Sequence, residues 1–210
     1  MKHITFKDGS TAPVNNIYCI GRSYAEHISE LGNTPTGKPL VFLKPTTALT
    51  TDNTLRLPGY SEDIHHEVEL VVYIDQDVAD DQIPDLSCIA GYGIGLDLTA
   101  RDIQNALKTK GMPWTTAKGF RHAAWLSVLT KGIPTTHQLS LMVNGDIRQD
   151  DSTDKLLFDI TYQLNFLHEK FGLRQGDIIY TGTPKGVGRL VSGDTLVAKL
   201  DTESYTIHIV

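Results

Sequence analysis

Apolar residues along this chain come mostly in short runs broken by Gly, Pro, Asn and Asp, a pattern that predicts strands more often than helices. Lys2 to Val14 reads as a hairpin turning at Lys7-Asp8-Gly9-Ser10. Asn16 to Ile20 reads as a strand that breaks at Gly21. Ser23 is placed to cap a short helix, Tyr24 to Leu31, ended by Gly32-Asn33. The stretch 23–38 carries few apolar anchors and is expected to be mobile. Leu40-Val41-Phe42-Leu43 then predicts a buried strand stopped by Lys44-Pro45, and Thr46 to Pro58 predicts strand and turn.

The most informative run is Ile64 to Ile74, whose second half is apolar and β-branched and predicts a buried strand. Glu67 and Glu69 lie two apart within it, so they share one strand face, about 7 Å apart. Two carboxylates on a strand entering the core repel each other and resist desolvation, a conflict that a cation between them resolves. A solvated strand end with two unpaired glutamates is the alternative.

Cys88 to Leu96 is apolar with Gly at 91, 93 and 95, which suits a strand passing close to its neighbours, and Asp97 closes it. A helix is expected immediately after, capped by Thr99 with Asp102 three residues on, running to about Thr109 and stopping at Gly111. Helical spacing sets Arg101, Gln104 and Lys108 near one face. Met112 to Phe120 reads as irregular. Asn144-Gly145 between Leu139–Val143 and Ile147–Gln149 is the strongest hairpin signal in the chain. Asp159 opens a helix with Ile160, Leu164, Leu167 and Phe171 on one stripe, ended by Gly172. Ile178-Ile179-Tyr180, Thr195–Leu200 and Tyr205–Ile209 are strands. Strands dominate and the two longest helices do not alternate regularly with them, so the fold class is a β-rich α+β domain.

At 210 residues the chain suits one domain, and its 40% hydrophobic content suffices for a core. A net charge of −6 argues against nucleic acid as a partner, and no apolar run approaches membrane-spanning length. Two cysteines, Cys19 and Cys88, fit a reduced compartment, and the start lacks a signal-peptide core, so a cytoplasmic protein is expected.

Glu67, Glu69 and Asp97 on a β scaffold, without a Cys or His set at zinc spacing, suit a hard cation such as Mg²⁺, Mn²⁺ or Ca²⁺. His65 and His66 are candidate extra ligands, with a solvated or core-edge role as the alternative. His27 and Glu30, at i and i+3, form either a carboxylate-oriented base or a helix-surface pair. Lys118, among Trp114, Ala117 and Phe120, is either a partly buried cation or a loop lysine. The glycine-rich 182–188 segment lacks the P-loop pattern, although its amides and Thr183 could cradle an anion.

Taken together, Gly21-Arg22-Ser23-Tyr24-Ala25-Glu26-His27, Val41-Phe42-Leu43-Lys44-Pro45, His66-Glu67-Val68-Glu69-Leu70, Leu96-Asp97-Leu98-Thr99-Ala100-Arg101-Asp102, Pro113-Trp114-Thr115-Thr116-Ala117-Lys118 and Gly176 to Gly188 resemble, in order, the fumarylacetoacetate hydrolase family, closest to its acylpyruvate hydrolase branch. The resemblance runs from about Asn16 to the end. It implies a mixed β-sandwich roll, one catalytic domain over 1–210 with a hairpin at 1–15 and a lid at 23–38, and usually a homodimer. It implies that Glu67, Glu69 and Asp97 bind Mg²⁺ or Mn²⁺, with Ca²⁺ possible in vitro. It makes His27, Glu30 and Lys118 catalytic, and Arg22, Arg101, Gln104 and Thr183 the contacts to a small 2-oxo acid. The implied reaction is hydrolysis of an acylpyruvate to pyruvate and a carboxylic acid, through water activated by His27 and a pyruvate enolate. Oxaloacetate decarboxylation or keto–enol exchange, and isomerisation or decarboxylation of aromatic-catabolism intermediates, are alternatives on the same site. A non-catalytic metal-dependent binding module is a further one.

Overall fold

The computed structural model describes residues 1–30, 32 and 37–210. Its centre is the strand Val68–Ile74, where every residue is buried. It pairs antiparallel with Ile89–Asp97 on one side and with Ile178–Tyr180 on the other. Burial on both faces explains the continuous apolar run, since a strand covered on only one face would alternate with polar residues. Ile17–Gly21 and Leu40–Lys44 extend the sheet beyond Ile178–Tyr180, and Ala124–Leu126 and Leu49–Thr50 extend it beyond Ile89–Asp97. A second sheet, built on Gln138–Val143, Asp146–Ser152, Thr195–Leu200 and Glu203–Ile209, contributes Leu139, Leu141, Leu196, Ala198 and Ile207 to the main core. A helix, Ile160–Phe171, packs Leu164 and Leu167 against Ile20, Val72, Ile74 and Ile179 in a second cluster. The β-rich α+β expectation therefore holds, as a central mixed sheet layered between an antiparallel sheet and a helix.

The glycines of Ile89–Asp97 explain how closely the layers approach. A Cβ on Gly95 would fall 2.6 Å from both Tyr180 and Val71 side-chain carbons, and one on Gly93 would fall 2.7 Å from Leu129 and Ser127. At the Asn144-Gly145 turn both residues have positive φ, 53° and 89°, as the tight hairpin between those strands requires. Asp159 caps its helix by accepting from the Tyr162 amide at 2.7 Å, and Gly172 ends it with φ 70°. Phe171, expected on the buried stripe, is instead half exposed against Tyr18.

Three local readings are corrected. The first helix is Ala25–Glu30, and the Ser23 hydroxyl turns back to the Ile20 carbonyl at 3.4 Å; the expected end at Leu31 and residues 33–36 of the 23–38 stretch lie outside the described residues. The helix after Asp97 starts one residue later than a Thr99 cap would set it, as Arg101–Thr109. Thr99 does not cap it: Thr99-Ala100 pairs with Ile64–His66, and the Thr99 hydroxyl donates to Glu67 Oε1 at 2.9 Å. Asp102 instead accepts from Ser61 Oγ and the Glu62 amide, tying that loop to the helix. The irregular 112–120 stretch contains one turn of helix, Thr115–Lys118.

Candidate active site

Glu67 occupies the break between Ile64–His66 and Val68–Ile74, and Glu69 follows inside the second strand. Antiparallel pairing sets Val68 opposite Leu96 and Glu69 opposite Gly95, and the Asp97 amide donates to the Glu67 carbonyl at 2.8 Å. Register alone therefore brings Asp97 beside the two glutamates. One carboxylate oxygen from each of the three lies within 4.8 Å of the others, and all three side chains are buried.

Their charges are unevenly balanced. Lys118 Nζ bridges Glu67 Oε2 at 2.8 Å and Asp97 Oδ2 at 2.7 Å, and Arg101 Nη2 reaches Glu67 Oε1 at 2.5 Å. Burial pushes the Glu67 carboxyl up, but Lys118 and Arg101 overcome it and hold the group well below its usual range. Burial likewise opposes the Lys118 ammonium, and Asp97 and Glu67 overcome it and raise its pKa. Among the described residues no cation pairs with Glu69. Burial first, then the charges of Asp97 and Glu67, push its carboxyl well above the usual range, against one hydrogen bond from the Gly182 amide at 2.7 Å.

Asp97 Oδ1 lies 2.6 Å from Lys44 Nζ, yet that ammonium donates to the carbonyls of Leu98, Lys118 and Ala123 at 3.1, 2.5 and 2.9 Å. An ammonium has three protons, so the contact with Oδ1 is a charge contact without a hydrogen bond, and Oδ1 is left without a donor. A carboxylate with no paired cation among the described residues, a second with an undonated oxygen, and an all-oxygen donor set fit a hard divalent cation. Glu67, Glu69 and Asp97 are the residues that could hold it.

The other expected residues converge on the same pocket, which Arg22, His27, Arg101, Gln104, Lys118 and Thr183 line together with the triad. His27 Nδ1 lies 3.2 Å from Glu30 Oε2, and the Gly186 amide donates to both Glu30 oxygens, at 3.0 and 3.2 Å. Glu30 thus stands behind the imidazole and not at the pocket wall. A carboxylate facing Nδ1 holds the proton there and leaves Nε2 as the free base. Burial lowers the His27 pKa, against the raising effect of Glu67 and Glu30. Arg101 Nη1 donates to Gln104 Oε1 at 2.5 Å, so these two present one arrangement. Arg22 has φ 61°, a left-handed backbone that is uncommon for a side chain of this size.

The glycine-rich segment does cradle anions, and they are the chain's own: Gly182 holds Glu69 and Gly186 holds Glu30. The Thr183 hydroxyl donates to the Val68 carbonyl at 2.8 Å and accepts from Gln149 Nε2 at 2.8 Å, so its proton is committed inside the fold. His65 pairs with Asp63 and His66 with Gln149, each at 3.0 Å, and among the described residues neither joins the carboxylate cluster. Both take the core-edge role.

Sequence reasoning missed Lys44, Thr99 and Gln149 as site residues. Lys44 left a signal, a lysine ending an apolar strand. Gln149, which also accepts from the Val68 amide at 3.0 Å, left none.

A family model, Fumarylacetoacetate (FAA) hydrolase C-terminal, matches residues 16–207. The oxaloacetate tautomerase FAHD1, mitochondrial, of Mus musculus is 40% identical over 194 residues, covering 89% of this chain and 87% of the relative. Oxaloacetate tautomerase YcgM of Escherichia coli K12 is 38% identical over 206 residues, 94% of this chain and 93% of the relative. The crystal structure of fumarylpyruvate hydrolase from Pseudomonas aeruginosa in complex with Mn²⁺ and pyruvate has a TM-score of 0.93 and 31% identity, covering 100% of this chain and 95% of that one.

Proposed function

We propose that this chain, which belongs to the fumarylacetoacetate hydrolase family, is a divalent-metal-dependent enzyme that interconverts the keto and enol forms of a small 2-oxo acid such as oxaloacetate. The observation that carries the reading is the placement of a carboxylate-oriented imidazole, His27, in the same pocket as three convergent carboxylates and the Lys118 ammonium. The tautomerases among its relatives, alike over most of both chains, support this choice over hydrolysis.

A divalent cation held by Glu67, Glu69 and Asp97 would act as a Lewis acid, favouring negative charge on the 2-oxo oxygen. The residues supply the rest. Arg101, kept in place by Gln104 and Glu67, offers its guanidinium to the substrate carboxylate. His27 Nε2 takes a proton from the carbon next to the 2-oxo group, and the electron pair left behind delocalises into an enolate. The proton then returns to oxygen, giving the enol, and the reverse order restores the ketone. Glu30 keeps the imidazole in one tautomer and stabilises the cation formed when it holds the proton. Lys118 adds positive charge where the enolate develops.

Hydrolysis of an acylpyruvate is a second reading, favoured by the likeness to the fumarylpyruvate hydrolase structure. It releases the same kind of enolate but needs a water activated by His27. The deciding experiment follows enol absorbance of oxaloacetate with Mg²⁺, then with chelator, and assays acetylpyruvate with the same preparation. Metal-dependent acceleration of oxaloacetate exchange supports the proposal. Turnover of acetylpyruvate alone would favour the hydrolase, and turnover of neither would favour a binding module.

A further inference from the structure

We infer that Lys108 forms a subsite for a second, distal carboxylate, which makes the substrate a 2-oxo dicarboxylate dianion. This rests on the proposed keto–enol reading and narrows it to a substrate class. Lys108 lies on the helix Arg101–Thr109, seven residues after Arg101, so the two project from nearly the same helix face. Both line the pocket that holds the triad.

An aromatic wall gives the pocket its direction. Lys118 Nζ lies 4.7 Å from the Phe42 ring centroid, Phe42 and Trp114 lie 6.1 Å apart, and Lys108 Nζ lies 5.4 Å from Trp114. Lys118 thus stands at the carboxylate end of the wall and Lys108 at the other. A molecule chelated at the triad and lying along the two rings has its far end at Lys108.

The two ammonium groups differ in what they meet. Lys118 is bound to Glu67 and Asp97, and Arg101 to Glu67. Among the described residues no carboxylate pairs with Lys108, which is half buried over the face of Trp114. Burial, then the charges of Arg101 and Arg22, push its pKa down, against the raising effect of Glu67. The pocket wall as a whole carries Arg22, Arg101, Lys108 and Lys118 against Glu67, Glu69 and Asp97. A bound divalent cation tips that balance further to the positive side. A monoanion corrects part of the excess, and a dianion corrects more of it, with its second charge placed at Lys108.

The test compares oxaloacetate with its 4-methyl ester, which differ at the distal carboxylate alone. In the wild type with Mg²⁺, kcat/KM is expected to favour the dianion. In Lys108→Met the dianion-to-ester ratio should fall by about tenfold or more, the size of a lost charged hydrogen bond, and Lys108→Arg should restore most of it. A ratio unchanged in Lys108→Met, or a proportional loss on both substrates, would show a structural lysine and overturn the subsite. If the wild type turns over neither compound, the keto–enol reading fails, and binding decides the subsite separately. Calorimetry of the Mg²⁺-loaded protein with 2-oxoglutarate and its 5-methyl ester should show tighter binding of the dianion, lost in Lys108→Met. Equal affinities in the wild type would refute it.

Discussion

The Lys44 ammonium lies 2.6 Å from Asp97 Oδ1 but gives its protons to three backbone carbonyls, those of Leu98, Lys118 and Ala123. One fully buried cation therefore fixes the end of the strand bearing Asp97, the end of the short helix bearing Lys118, and the turn before Ala124–Leu126. Lys44→Met removes a buried donor from those carbonyls, of which only that of Ala123 keeps another among the described residues, the Leu98 amide, and takes from Asp97 one of its two ammonium neighbours, leaving Lys118. Breaking a buried pair from one side costs about 3–5 kcal/mol. Urea denaturation of the metal-free protein should show a loss of that order. A change under about 1 kcal/mol would mean that the surrounding groups rearrange to replace it.

The triad itself should separate from the base. Glu69→Gln removes the charge of the triad carboxylate that no cation pairs with among the described residues, at nearly constant volume. Calorimetric titration should show Mg²⁺ affinity reduced at least about tenfold, consistent with the dependence of hard-cation sites on ligand charge. His27→Ala should leave that affinity within a factor of about two or three while lowering kcat by about 10²-fold or more, the low end for a general base. Equal loss of metal binding in both variants would contradict the division of roles.

The acid limb of the rate profile should sit below the ordinary histidine range. Burial lowers the His27 pKa from 6.5, so its free-base form persists to lower pH. Activity that needs this base is then present above the lowered pKa and lost as pH falls through it. Glu30 raises the His27 pKa, so Glu30→Gln should move the limb further toward acid. A bound divalent cation acts in the same direction. Measuring kcat from pH 4.5 to 8 with saturating Mg²⁺ (about half a unit per step) tests it, and a limb above pH 7 would assign the titration to another group.

Gly186→Ala tests the loop that holds Glu30. Gly186 has φ 97°, and an added Cβ would come within 1.9 Å of the Arg148 carbonyl oxygen, which as backbone cannot swing aside. The loop must shift, carrying away the amide that fixes both Glu30 oxygens. kcat should fall by about tenfold or more, with Mg²⁺ affinity retained, because the triad is anchored on other strands. An unchanged kcat would show that Glu30 is held by something other than this amide.

Much of this molecule is set by local rules and was readable from the chain. The buried run Val68–Ile74, the Asn144-Gly145 hairpin and the Asp159-to-Gly172 helix each depend on neighbours within a few positions. Glu67 and Glu69 announce a charge conflict for the same reason, since their separation follows from strand geometry. The meeting of Asp97 with that pair is a matter of sheet register, which no local pattern encodes. Thr99 illustrates the override: its position suits a helix cap, but sheet pairing holds it extended and a buried carboxylate takes its hydroxyl. The amides of the 182–188 segment look like an anion cradle in sequence, and only the fold decides that the anions are Glu69 and Glu30. Lys44 and Gln149 act through partners 34 to 83 positions away. Chain-distant hydrogen bonds of that kind leave no periodic trace, because they depend on how the layers stack and not on the spacing of residues along a strand or helix.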